Sequence, residues 1–363
     1  MKKDIKKVLI INIFGIGDVL FTTPVIRNIK ESIPQVTVGY MANQRTVRIL
    51  ENNPLVDRVH VYERDFFQEI WGRSKKEYFQ AMARSLNEIR NEKYDVVLDL
   101  SLNGNAAFLM WLVGIKERIG YDFKGRSPFL SRKIPFKGYE GKHVVAYYLD
   151  LLKELGLSTK YRKLEIYSSP EDERWADDFC KENDFSKDRK VVAVFPGGGA
   201  SWGKDARFKR WPAAKYAQLI NKMIDKLSCE VIIFGDEKEQ DICSDIASAV
   251  ANKTNSVCGK TTLGQTIALL GKCSMAVVND GGPLHMAVAK GVPTVSIFGP
   301  VDSEVYGPYP KDEHLVVTYD VSCRPCYRQF RKASCDHITC LKNIDVNDVF
   351  GNIEQVYINL KEN

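Results

Sequence analysis

The chain has 363 residues, 44% of them hydrophobic, enough to bury two separate cores. Its 52 basic and 46 acidic residues leave a net charge of +6, a mild excess that suits anionic partners and gives no reason to expect nucleic acid. The best membrane-span candidate, Ala106 to Ile115, is too short. The N-terminal Lys2, Lys3, Lys6 and Lys7 precede an apolar run that Asn12 interrupts, with no small-residue cleavage site after it, so a cytoplasmic location is expected.

Short apolar runs alternate with amphipathic ones along both halves. Strands are expected at 8–13, 36–40, 56–61 and 96–100, with helices at 19–31, 45–52, 77–91 and 144–155. The second half repeats the pattern, with strands at 191–195, 231–234, 275–279 and 294–298 and helices at 213–226, 237–251, 263–271 and 283–290. Such alternation builds parallel sheets covered on both faces, hence an α/β chain of two doubly wound domains. The polar segment 168–190 reads as the seam. The expected division is 1–180, then 181–345 with a cysteine-rich segment at 323–340, then a terminal helix over 346–363.

Ligands of such sheets bind beyond the carboxyl ends of the strands. After the first strand comes Phe14-Gly15-Ile16-Gly17-Asp18-Val19-Leu20, which lacks the third glycine of a dinucleotide fingerprint. Asp18 there either caps a helix or takes a proton from a substrate hydroxyl. After the strand at 191–195 comes Pro196-Gly197-Gly198-Gly199, followed by Lys204, Arg207, Lys209 and Arg210, a loop and charge set suited to a diphosphate. Glu237 and Glu239 follow the next strand, where an acid either bonds ribose hydroxyls or complements a helix dipole. After 275–279 come Asp280, Gly281, Gly282, Pro283 and His285. The glycines offer free N–H groups to a phosphate, and Asp280 either caps the helix or meets a hydroxyl or ring nitrogen of the same ligand.

Two stretches suit an acceptor. Arg118, Lys124, Arg126, Arg132, Lys133 and Lys137 form a basic run that is either a solvated loop or a seat for an anionic glycolipid. Phe66, Phe67, Ile70 and Trp71 beside Arg73, Lys75 and Lys76 form a stripe that either packs on its own domain or touches a membrane face. Of nine cysteines, five are scattered as free thiols are, while Cys323, Cys326, Cys335 and Cys340 cluster, with His337 among them. Those four are either reduced structural thiols or a closed structural metal site.

Taken together, Gly17-Asp18-Val19-Leu20 with Thr22-Thr23-Pro24, Lys209-Arg210-Trp211-Pro212, Asn279-Asp280-Gly281-Gly282 with His285, and Phe298-Gly299-Pro300 resemble glycosyltransferase family 9, the heptosyltransferases of the lipopolysaccharide inner core. The resemblance implies a GT-B architecture of two facing Rossmann-like domains with a central cleft. It implies inverting transfer from a nucleotide-diphosphate sugar, usually ADP-heptose, with no cofactor or metal required. The acceptor would be an anionic glycolipid, met peripherally on the cytoplasmic face of the inner membrane.

Asp18 takes the place of the catalytic base, with Gly17, Thr22 and Arg126 on the acceptor side. Lys209 matches the lysine on the donor phosphates; Gly198, Gly199, Asp280, Gly281, Gly282 and His285 form the donor turns, and Glu237 or Glu239 is the ribose acid. The family commonly has Thr or Ser where this chain has Gly281, which bears on donor affinity and identity. Two other readings stay open: the same fold moving another sugar to a surface glycan or protein, or a sugar-nucleotide-binding protein without transfer.

Overall fold

Val8-Leu9-Ile10-Ile11 is sealed from solvent on both sides, and that continuous apolar run makes it the centre of a parallel sheet rather than an edge. In the computed structural model, which describes residues 5–185, 189–252 and 254–362, less the side chains of 200, 201, 361 and 362, this strand organises the first of two units, Met1–Lys163. Lys2, Lys3 and the part of the expected seam at 186–188 lie outside the described residues.

The first unit has strands β1 (Lys7–Ile11), β2 (Thr37–Ala42), β3 (Arg58–Val61), β4 (Val96–Asp99), β5 (Glu117–Phe123) and β6 (Arg132–Phe136). They form one sheet in the order β3-β2-β1-β4-β5-β6, with every pairing parallel. Its helices are α1 (Ile16–Leu20), α2 (Thr23–Ser32), α3 (Val47–Glu51), α4 (Arg64–Arg73), α5 (Lys75–Glu92), α6 (Gly104–Val113) and α7 (Val144–Glu154). The helix expected over 19–31 is two, because Pro24 has no N–H to continue a helix and sits instead in the first turn of a new one. Strands β5 and β6 occupy the stretch taken for a basic loop. Arg118 works there as an internal clamp, its Nε donating to Phe129 O at 2.7 Å and an Nη to Lys116 O at 3.0 Å, so it is not held out to an acceptor.

The second unit, Leu164–Asn363, has β7 (Val191–Phe195), β8 (Glu230–Ile233), β9 (Asn255–Ser256), β10 (Met275–Asn279), β11 (Thr294–Phe298) and β12 (His314–Thr318) in the order β12-β11-β10-β7-β8-β9, again all parallel. A small antiparallel hairpin joins β13 (Tyr327–Arg328) to β14 (Arg331–Lys332). The helices are α8 (Pro170–Glu182), α9 (Ala213–Leu227), α10 (Gln240–Ala249), α11 (Leu263–Leu270), α12 (Gly282–Lys290), α13 (Ser303–Tyr306), α14 (Thr339–Lys342) and α15 (Val346–Glu362).

The division therefore falls at 163/164, not near 180. The polar segment read as a seam is a helix start: Ser169 caps α8 by accepting from Asp172 N at 3.0 Å, Pro170 opens it, and Glu171, Asp172 and Glu173 fill the first turn. Helix α8 then packs on α11, and Lys290 and Lys272 reach Glu173 at 2.8 and 3.3 Å, tying it to the second unit. The last helix, α15, lies in the same core through Val349, Phe350, Ile353 and Val356. Both units are Rossmann-like, as the expected GT-B class requires.

At the carboxyl end of β4, Asp99 is wholly enclosed, and its Oδ1 accepts from Ser101 N at 2.9 Å and Ser101 Oγ at 2.6 Å. Burial outweighs those bonds and pushes its carboxyl up to about 6 from 3.8. The folded state thus holds the proton more tightly than the unfolded chain, so Asp99 lowers stability progressively as pH rises through that window. The loss is complete above it, at about 3 kcal/mol or less. Asp99→Asn, which keeps an acceptor for Ser101, is expected to match or exceed the wild type in urea unfolding at pH 7.5 and to lose its relative advantage at pH 4. A variant-to-wild-type difference that does not change with pH would refute the assignment.

Candidate active site

In the first unit the β1–α1 turn is fixed from beneath. Buried Asn12 donates to the Asp18 carbonyl at 3.0 Å, and Asn43 donates to Ile13 O at 2.9 Å. The N-cap of α1 is Gly15, and Asp18 stands as the acid of its first turn. The carboxyl is half-buried among tyrosines; its charge adds to the effect of burial in holding the Tyr40, Tyr139 and Tyr148 hydroxyls un-ionised.

Gly17 lies in the same turn, half-buried. Thr22 does not face an acceptor. It is fully buried, its hydroxyl donating to Val19 O at 2.6 Å and lying 2.8 Å from the Tyr40 hydroxyl, so it supports the turn from inside. Arg126 is exposed and lines a cleft with Leu102, Asn103, Gly104, Asn105, Phe108, Pro128 and Phe129. Gly104 is required there, because a Cβ would lie 2.0 Å from the Arg126 carbonyl.

In the second unit two glycine turns meet at the carboxyl ends of β7 and β10. Gly198 and Gly199 take φ of +109° and +76°, where other side chains are strained, and Gly199 N lies 3.7 Å from where a Gly281 Cβ would be. Gly281 caps α12, Gly282 and Pro283 open it, and His285 is buried one turn in. The N-terminal N–H groups of α12 thus point at the glycine loop, which is an anion-binding arrangement.

Beside it, Lys209 Nζ lies 2.7 Å from Asp280 Oδ2 and 4.6 Å from the centroid of Trp202, both charged groups nearly buried. The Lys209–Asp280 contact is an ion pair by distance, although the oxygen has no hydrogen bond of good geometry. Asp280 therefore neutralises the lysine when no ligand is present and does not cap α12.

Glu239 belongs to the loop. Its Oε1 accepts from Gly198 N at 2.6 Å and lies 3.3 Å from Arg210 Nη2, while Oε2 accepts from Asp236 N at 3.1 Å as half of a capping box. Glu237 is the exposed acid of the two.

The residue that sequence reasoning passed over is Asn279. Buried at the end of β10, it donates to Pro196 O and Gly197 O, both at 2.8 Å, and accepts from Trp211 N at 3.2 Å. Its signal was an amide immediately before Asp-Gly-Gly at a strand end, where a side chain with both donor and acceptor can join two loops.

The cysteine segment lies against this half. Cys326 N and Tyr327 N donate to Pro300 O at 3.0 and 3.1 Å, Arg324 donates to Gly299 O at 2.7 Å, and the Tyr327 ring sits 5.0 Å from Trp202. Burial raises the Cys340 thiol to about 11, with help from Cys326, Cys335 and Cys323, so the four lie near one another. Among the described residues, however, no three His, Cys, Asp or Glu side chains are arranged to hold a metal ion. The structural metal considered for these cysteines is not supported by that geometry; of the segment, Cys326, Tyr327 and Arg324 brace the Gly299–Pro300 turn.

Two Rossmann-like units in one chain are the GT-B arrangement, and this chain is a glycosyltransferase. The chain belongs to glycosyltransferase family 9 (heptosyltransferase), whose profile matches residues 82–336. It is similar to the lipopolysaccharide core heptosyltransferase OpsX of Haemophilus influenzae, 23% identical over 339 residues that cover 91% of this chain and 89% of that one. Among solved structures it resembles a family 9 glycosyl transferase of Veillonella parvula, with TM-score 0.84, 22% identity and 99% of each chain covered. It also resembles the E. coli ADP-heptose lps heptosyltransferase II, with TM-score 0.76 and 20% identity over 98% of this chain and 99% of that one.

Glu239→Ala would leave Gly198 N and Arg210 without their buried partner. The expected loss is about 2–4 kcal/mol of stability in thermal or urea unfolding, together with weaker donor binding. Glu239→Gln, which can still accept from Gly198, should lose less of both. An alanine variant as stable as wild type would show that the loop does not depend on this carboxylate.

Proposed function

We propose that the protein transfers heptose from ADP-heptose to an inner-core sugar of lipopolysaccharide, with inversion and without a catalytic metal, on the cytoplasmic face of the inner membrane. The observation that carries this reading is Lys209, paired with Asp280 beside two facing glycine turns, in a chain of family 9. The relatives named above are a lipopolysaccharide core heptosyltransferase and an ADP-heptose enzyme.

In this mechanism Asp18 removes the proton from the acceptor hydroxyl as that oxygen attacks the anomeric carbon from the face opposite the leaving diphosphate. Charge then develops on the leaving ADP. Lys209 turns from Asp280 to the phosphates, and the N–H groups of Gly199 on the loop and of Gly282 at the α12 terminus take up the rest, since that of Gly198 is held by Glu239. That set of positive groups does what a divalent cation would otherwise do. Glu237 is the acid open to the ribose, since Glu239 is engaged by the loop. Arg126 and Gly17 serve the anionic acceptor. Among the described residues no helix is long and apolar enough to cross a membrane, so contact with the lipid-linked acceptor would be made from the surface.

The second reading, another sugar nucleotide on the same site, is favoured by one residue. Gly281 offers only backbone where a Ser or Thr hydroxyl is common in the family, and that alters the phosphate end of the donor pocket. Turnover of ADP-heptose against UDP- and GDP-sugars separates the readings, since preference for another nucleotide would replace the substrate and keep the reaction class.

Asp18→Asn is expected to reduce kcat by about a thousandfold while donor affinity, read by calorimetry, stays within a few-fold of wild type. Equal loss of donor binding would move Asp18 out of the base role. Gly281→Ser should fold normally, because the added Cβ meets nothing closer than 3.7 Å and the backbone there is extended. Its hydroxyl is expected to lower the donor KM about fivefold, the worth of one hydrogen bond of about 1 kcal/mol. A raised KM would show that the phosphates do not approach this position.

A further inference from the structure

Three of the exposed large apolar side chains of the first unit lie together on one helix. Helix α6, Gly104–Val113, contains no charged residue; Ala107, Met110 and Val113 are buried in its core, with Ala106 and Leu109 packed partly against it. Phe108, Trp111 and Leu112 are 37%, 50% and 43% exposed. Phe129, from the β5–β6 connection, completes the patch, its ring 4.9 Å from Phe108 and 5.5 Å from Trp111, and those two stack at 6.0 Å. A helix apolar on all sides belongs inside a protein or against lipid, and this one leaves one side, with Phe108, Trp111 and Leu112, uncovered.

The surroundings state what covers it. Residues 100–137 hold seven basic and two acidic residues. Arg126 lines the same cleft as Phe108 and Phe129, and Lys124 is exposed two residues away. Lys116 is exposed just beyond the C-cap Gly114, and Arg90 reaches over the helix end to Leu112 O at 3.1 Å. The two acids face inward to partners: Glu117 lies 3.3 Å from Arg132, and Asp122 accepts from Ser127 N at 2.9 Å. Aromatic rings rimmed by cations match the interface of an anionic bilayer, where rings sit at headgroup depth and cations near the surface are drawn to the lipid charge. The stripe at 66–71 also exposes Phe66 and Trp71, with Phe79 beside them, but exposed Asp65, Glu69 and Glu77 are mixed among its cations, so its rim is not one an anionic surface favours.

We propose that the outer face of α6 with Phe129 is the surface by which this protein lies on an anionic phospholipid leaflet. The inference deepens the proposed function and rests on it for the purpose of the docking, which is to bring the acceptor-binding unit to a lipid-linked acceptor. The physical claim of lipid binding stands apart and is tested apart.

The test is flotation of the full chain with vesicles of phosphatidylethanolamine plus phosphatidylglycerol, against pure phosphatidylcholine. Wild type should float with the anionic vesicles, release at high salt, and stay behind with the neutral ones. Trp111→Glu should reduce the floated fraction about fivefold or more, and Trp111→Phe should restore it. Both variants should keep the wild-type thermal unfolding curve and turn over a deacylated, lipid-free acceptor at the wild-type rate, which separates a docking defect from misfolding.

Wild type that ignores anionic vesicles, or Trp111→Glu that floats as wild type does, overturns the proposal. So does a wild-type dimer in light scattering that Trp111→Glu dissolves, since the patch would then join two copies. Vesicle binding by a protein that fails to use ADP-heptose would sink the proposed substrate and leave the docking surface standing.

Discussion

A buried carboxylate governs the glycine loop of the second unit. Removing Glu239 from water is tolerable only because both oxygens find donors, Gly198 N and Arg210 on one and Asp236 N on the other. The same contacts dictate the loop above it. Gly197 must lack a side chain, since a Cβ would come within 2.1 Å of that carboxyl group. Gly198 must adopt a left-handed backbone to aim its N–H downward, and Arg210, held to Gly198 O at 3.1 Å, aligns the neighbouring Lys209. Asn279 closes the arrangement from the other side by tying Pro196 and Gly197 to β10. The phosphate cradle is thus shaped by groups that never touch phosphate.

This explains which parts of the molecule were legible in the chain. The central strands were, because Val8–Ile11, Val191–Phe195 and Met275–Asn279 are buried on both faces and so carry unbroken apolar runs. Strands β5, β6 and β12 were not, because their partial exposure admits Arg132, Lys133 and His314 and blurs the pattern. Helix α8 was misjudged by composition: Ser-Pro-Glu-Asp-Glu is polar as a linker is, but its order is that of a capped helix start.

At the site, the residue types were legible and their directions were not. Asp18, Lys209 and Asp280 stand where a ligand can meet them, whereas Thr22 turns inward to Tyr40 and Arg118 clamps the start of β5. Position beyond a strand end is set by topology, which periodicity reveals. Whether a side chain there points to ligand or to backbone is set by which unsatisfied carbonyls and amides lie nearby, and those come from segments distant in sequence. Glu239 and Gly198 are 41 residues apart, and Asn279 and Pro196 are 83 apart.

The Lys209–Asp280 pair has a consequence for what the empty site does in a cell full of anions. A lone ammonium over glycine amides would hold inorganic phosphate or free nucleotide much of the time. With Asp280 2.7 Å away and Trp202 across it, the unliganded cradle is close to charge-neutral. An incoming anion must outcompete an ion pair already formed, and a small one brings too few contacts to do so. A ligand that also fills the ribose and base positions can draw the lysine away. The pair thus sets a threshold: whatever reaches Lys209 has to offer it more than Asp280 already does.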